Sequence, residues 1–250
     1  RQSPSLTMSG DSRAAVLPRV NEQIFAHENG VLTLSASTNA ATPVLQQLAG
    51  KQEGRLKVVE DGTADLFWDV EEGDVLTKFG DVVLRGKATN IDRFSDVVTK
   101  WGFLTDLYAL SRERQPIEGT LQPSVGHIPE GDAFKVGLKS DQAGNMAVFA
   151  LEADGTLRLL APNKKADPLG KDTTVQAAKP YVLNLRAALP FGADHIVMVR
   201  AAKPMPQLVG VLAALDGKPL SAELTPKLLE LIGQYADAVG IAGVYTEPAG

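Results

Sequence analysis

Apolar and polar positions recur along this chain with two different periods, and the switches between them mark its elements. The opening Arg1-Gln2-Ser3-Pro4 begins a Ser-, Arg- and Pro-rich lead-in, read as extended or partly helical. Gly30 to Ala36 then alternates apolar with small polar residues, the pattern of a half-buried strand. Thr42-Pro43 opens a helix, with Thr42 as N-cap and Val44, Leu45 and Leu48 on its apolar face until Gly50. Short strands follow at Arg55 to Val59, Ala64 to Val70 and Asp81 to Leu84, the first pair joined by a turn carrying Asp61-Gly62. Phe94, Val97, Val98, Trp101, Leu104, Leu107 and Tyr108 recur at helical spacing and predict a helix from Ile91 to about Arg112, with a kink or a close contact at Gly102.

Between Gln115 and Glu130, Pro116, Gly119, Pro123, Gly126 and Pro129 punctuate the chain, as in a linker or a strand bounded by turns. The domain boundary is placed there, with a mixed α/β domain over 1–120 and a β-rich domain over 121–250. Strand patterns return at Ala133 to Lys139, Met146 to Glu152 and Thr156 to Leu160, with Asp141 to Gly144 and Ala153-Asp154-Gly155 as connections, predicting a meander of hairpins. Tyr181 to Leu185 and His195 to Val199 add two strands around Leu189 to Asp194. Thr225-Pro226 starts a last helix, to about residue 239, and Ile241 to Tyr245 returns as an edge strand. The expected fold class is α+β: a mixed α/β N-terminal part, a small antiparallel β-sandwich or barrel-like domain, and a C-terminal helix.

Composition narrows the chemistry. A hydrophobic content of 44% over 250 residues is enough to bury a core. The net charge of -5 forms no block of like charges, which argues against nucleic acid and anionic membrane as partners. No apolar run approaches the roughly 18 residues of a membrane span. With no cysteine, the chain has no disulfide, no thiolate-metal site and no cysteine nucleophile. It starts at Arg1 without a methionine, which reads as a processed or trimmed fragment. Its compartment, envelope, periplasm or cytoplasm, stays open.

One order of motifs carries a resemblance. Phe134-Lys135-Val136-Gly137, Ser140-Asp141, Gly144-Asn145, Ala153-Asp154-Gly155, Leu159-Leu160-Ala161-Pro162-Asn163 and Pro190-Phe191-Gly192-Ala193-Asp194-His195-Ile196 follow one another between about 131 and 200. Together they resemble the family named Domain of unknown function 4384. Where that family often has an aromatic after the first glycine turn, this chain has Asn145-Met146. Proteins of this family often carry an N-terminal caspase-like peptidase domain, so the resemblance implies the C-terminal region of such a bacterial protein. The partner it implies is the caspase-like domain, in cis or in trans. The family supplies no catalytic residue to carry over and implies no cofactor.

Other candidate chemistry is sparse. Gly10-Asp11-Ser12 opens the nucleophile block of one class of serine esterases, but none of His27, His127 and His195 has the Asp-x-x-His setting such an enzyme needs. Asp65, Asp69, Glu71, Glu72 and Asp74 gather around Gly73, yet Leu66-Phe67-Trp68 interrupts the oxygen-ligand spacing of a calcium loop and favours a solvated hairpin. The candidate interaction surface comprises Arg158, Asn163, Lys164, Lys165, Phe191 and His195. Three functions compete: a non-catalytic accessory or protein-interaction region of a caspase-like peptidase; an independent envelope protein holding a ligand or glycan in a β cleft; and a serine esterase using Ser12.

Overall fold

The computed structural model describes residues 15–16, 31–52, 54–60, 64–124, 126–162 and 174–250. The fold is α+β, and it begins with a parallel unit. Strand β2 (Leu32–Ala36) lies between β3 (Leu56–Val58) and β4 (Leu66–Asp69), parallel to both. The connection between β2 and β3 is helix α1 (Thr42–Lys51), as a parallel crossover requires. Thr42 is the first helical residue and not the expected cap: a 3-10 turn over Asn39–Ala41 runs straight into the helix, so the cap position falls on Ala41. Strands β5 (Asp74–Thr77) and β6 (Val82–Leu84) extend the sheet antiparallel. Asp69, Glu71, Glu72 and Asp74 thus belong to the β4–β5 hairpin, where Asp69 accepts the backbone N–H groups of Glu71 and Glu72 and Asp74 accepts that of Gly86, whereas Asp65 is buried just before β4 and accepts from Thr33 and Lys78.

Helix α2 (Ile91–Arg112) occupies the expected span, capped by Asn90, whose side chain accepts from the Arg93 N–H at 3.0 Å. It runs unbroken through Gly102, around which a Cβ would meet nothing within 4 Å, so no close contact explains that glycine.

Beyond α2 the strands form two facing layers. One contains β1 (Ala15–Val16), β7 (Gln115–Gln122), β9 (Ala133–Ser140) and β13 (Tyr181–Arg186), in that order. In the other, β14 (Gly192–Ala201) lies between β10 (Gly144–Leu151) and β16 (Ala238–Glu247). The far edge of β10 carries β11 (Thr156–Ala161) and β12 (Thr174–Val175), while β16 also takes the start of β7 and β8 (Ile128–Pro129). Strand β15 (Lys218–Pro219) pairs with β11.

The expected meander is corrected at one connection. Asp141 to Ala143 does not close a hairpin, because β9 pairs with β7 and β13 while β10 pairs with β14, β11 and β12, so this link passes between layers. The Ala153-Asp154-Gly155 turn does close one, pairing Leu151 with Leu157. Ile241 to Tyr245 pair with β14 alone among the described strands; β7 and β8 cover only the two ends of β16, at Ala238–Val239 and at Thr246–Glu247. Both faces of the strand are nonetheless buried, alternate residues Ala242 and Val244 entering one core while Val239 enters another.

Those two cores sit on opposite faces of the β10–β14–β16 layer. Val136, Leu138, Val148, Ile196, Met198 and Val244 fill the space between the strand layers. Ala147, Phe149, Val197 and Val199 face the helices, packing with Trp101 and Leu104 of α2, Leu212 of α3 (Pro206–Leu215) and Ile232 of α4 (Thr225–Tyr235). The larger core also takes in Leu34, Leu66 and Val83 from the N-terminal sheet, and the cut expected at 120/121 falls inside β7. Gly192 makes the junction, pairing with Leu84 at a φ of +141°, where a Cβ would stand 2.3 Å from the Val83 carbonyl oxygen. Thr225 starts α4 rather than capping it, its hydroxyl donating back to the Ala222 carbonyl.

Candidate functional site

The chemistry gathers at the start of β14, where strand alternation sends consecutive polar side chains to opposite faces. His195 points to the helix side, fully buried, with its ring 5.3 Å from that of Trp101 and at 84° to it, an edge-on contact. Beside it on α2, Lys100 is also sealed from solvent, and its Nζ donates to the Ala193 carbonyl. Burial lowers the Lys100 ammonium below its usual range, opposed by the carboxylates of Asp194, Asp154 and Glu152. Burial also pushes His195 well below its usual value, and the Lys100 charge adds to this, so its imidazole is neutral.

Asp194 points the other way, toward the space between the strand layers. There it lines a cavity of about 150 Å³ together with Ile196, Val244, Phe134, Leu160 and Leu185. Its carboxyl accepts the Ala153 backbone N–H, while Oδ1 is shut off from solvent and has no hydrogen-bond partner among the described residues. Burial raises its pKa, more strongly than the Lys100 charge lowers it. Three more charged residues line the same cavity: Glu152, Arg158 and Arg186. Arg158 Nε lies 3.0 Å from Glu152 Oε1, and burial raises the Glu152 carboxyl against that pairing. Arg186 donates to the Gly131 carbonyl.

The turn that carries Glu152 and Ala153 is fixed by Gly155. At a φ of +90° its Cα faces α2 so closely that a Cβ would lie 2.7 Å from the Asp96 carbonyl oxygen. This contact seats the β10–β11 hairpin on the helix that supplies Lys100 and Trp101.

Of the residues singled out in the sequence, Arg158 is at the cavity and half-exposed. Phe191 and His195 are buried, 5% and 0% exposed, so they are removed from the candidate interaction surface. Asn163, Lys164 and Lys165 lie outside the described residues, as do Ser12 and His27. His127 stands apart from this site, edge-on to Tyr245. Among the described residues, no group of three or more His, Asp or Glu is arranged to hold a metal ion.

Sequence reasoning missed Lys100, Glu152, Arg186 and Asp194. Lys100 had a readable signal: it lies three residues after Val97 and four before Leu104, within the apolar stripe of α2. The other three carry none, since charged residues on alternating strands are ordinarily solvated.

Fold and cavity together define an α+β protein whose facing strand layers enclose a small cleft with charged residues on its wall. No family model and no curated protein matches the sequence. Among the described residues no helix is long and apolar enough to cross a membrane.

Proposed function

We propose that this chain is a non-catalytic accessory region of a bacterial caspase-like peptidase, recognising protein through the outer end of its β-rich part. The observation behind this reading is the edge strand β13, with one exposed aliphatic residue on it and another three residues past its end. Val182 is 46% and Leu189 59% exposed, and β13 pairs only with β9 among the described residues. An open strand edge with exposed aliphatic side chains is a common template for a partner polypeptide. The motif order resembling the Domain of unknown function 4384 family supplies the expected neighbour, and the absence of cysteine leaves the peptidase chemistry to that neighbour.

The test is a calorimetric titration of the chain with the caspase-like domain encoded alongside it. Val182→Lys and Leu189→Asp should abolish binding while leaving the melting temperature unchanged, because both sites are solvated. Absence of binding by the unaltered chain would overturn the proposal.

A second reading, an envelope protein that takes a small ligand in a β cleft, is favoured by one feature, the cavity between the strand layers.

A further inference from the structure

The cleft between the strand layers holds an acceptor with no donor among the described residues. The pleat of β14 sets its direction. Ile196, two residues on, and Val244, the cross-strand partner of Asp194 on β16, both belong to the core between the layers, whereas His195 packs on Trp101 at the opposite face. Asp194 therefore faces the cleft. Its carboxyl takes the Ala153 N–H, but Oδ1 is shut off from solvent and unpartnered among the described residues, a costly state for a buried acceptor. Lys100, on the far face, donates to the Ala193 carbonyl instead.

Charge and shape limit what completes the site. Glu152 lines the same cleft, and its charge and that of Asp154 act on Asp194 together with the Lys100 ammonium. Arg158, in register with Ala150 of the cleft wall, is held by Glu152 at 3.0 Å. The three carboxylates of Asp194, Glu152 and Asp154 thus stand against two cations, Lys100 and Arg158, and this excess favours a cation as the missing donor. The remaining walls are apolar, formed by Phe134, Leu160, Leu185, Ile196 and Val244. A volume of about 150 Å³ is that of a cavity which accommodates benzene, room for about five or six carbon atoms. Ala188 and Leu189 also line the cleft and are exposed, so it opens to solvent beside them.

We propose that this cleft binds a small aliphatic monoamine, its ammonium hydrogen-bonded to Asp194 Oδ1 and its alkyl chain lying among Phe134, Leu160, Leu185, Ile196 and Val244. The proposal rests on the second reading, in which the cleft takes a small ligand, and names the chemistry of that ligand. One ammonium supplies the donor Asp194 lacks and balances the excess carboxylate.

Three probes of nearly equal shape test it by calorimetric titration at pH 8: 3-methylbutylamine, a cation; 3-methylbutan-1-ol, neutral; and 3-methylbutanoate, an anion. The amine should bind at least about tenfold more tightly than the alcohol, the difference a charge-assisted hydrogen bond makes, and the anion should bind most weakly. Asp194→Asn, its fold checked by circular dichroism, should bring the amine down to the affinity of the alcohol. Should that variant fail to fold, the unaltered chain decides through pH. Burial holds the Asp194 carboxyl above its usual range, so it takes up a proton as pH falls from 8 to 5, and the ammonium loses its partner. The amine should then weaken toward the alcohol, whose affinity should not change. Equal affinity of amine and alcohol at pH 8, or an amine preference that survives Asp194→Asn or pH 5, overturns the proposal. Binding of the alcohol with no preference for the amine overturns the ammonium assignment while preserving the small-ligand cleft, and binding of none of the three overturns both.

Discussion

Acidification should weaken this fold through His195 by an amount that can be worked out in advance. In the unfolded chain an imidazole takes up a proton near pH 6.5; in the folded chain burial and the Lys100 charge hold it neutral well below that. The unfolded state therefore binds more protons below pH 6.5, and stability falls as pH falls through that value. For one such group the loss reaches about 1.4 kcal/mol at pH 5.5 relative to neutral pH, which lowers the melting temperature of a chain this size by about 3 to 6 °C.

Other groups at the site act in the opposite sense. Asp194, Glu152 and Asp96 have raised carboxyl pKa values, so the folded state binds extra protons as pH drops, which adds stability on the acid side. The effect of His195 must therefore be isolated by difference. The assay is urea unfolding of the unaltered chain and of His195→Gln at pH 7.5 and 5.5. The histidine protein should lose about 1.4 kcal/mol more than the glutamine variant over that interval. An equal loss in both would refute the reasoning, because it would mean His195 takes up its proton in the folded state as easily as in the unfolded one.

Gly155→Val places a Cβ 2.7 Å from the Asp96 carbonyl at a φ of +90°, and should cost more than about 2 kcal/mol by urea unfolding. Arg200, 1% exposed, donates to Gln115 Oε1 at 2.8 Å and meets Asp237 at 3.4 Å; Arg200→Leu should cost about 1 to 3 kcal/mol, kept at that level because Asp237 still reaches water. Trp68 and Trp101 are 5% and 0% exposed, so iodide should barely quench native fluorescence and should quench it strongly in urea.

The sequence by itself determined the elements whose periodicity is strong. The span of α2 follows from seven apolar residues at helical spacing, and the β10–β11 hairpin follows from Ala153-Asp154-Gly155 between two strand patterns. Local signals of this kind need no knowledge of distant residues. The last helix is shorter than expected, ending at Tyr235, because the chain from Ala238 onward joins β14 in the sheet. Helix α3 was not anticipated at all: its Leu208, Leu212 and Leu215 stripe is short and interrupted by Gly210, and only packing on the strand layer makes it persist.

Tertiary structure alone decided which strands pair. Nothing local tells Asp141 to Ala143 to cross between layers while Ala153 to Gly155 folds back, since both have turn chemistry and only long-range burial separates them. The same holds for the site. Asp194 and His195 are neighbours in sequence, yet the pleat gives one to the cleft with Glu152 and the other to α2 with Trp101 and Lys100. Their chemistry depends on what lies across each face, and those residues are separated from them in sequence by as many as 95 positions, from Lys100 to His195.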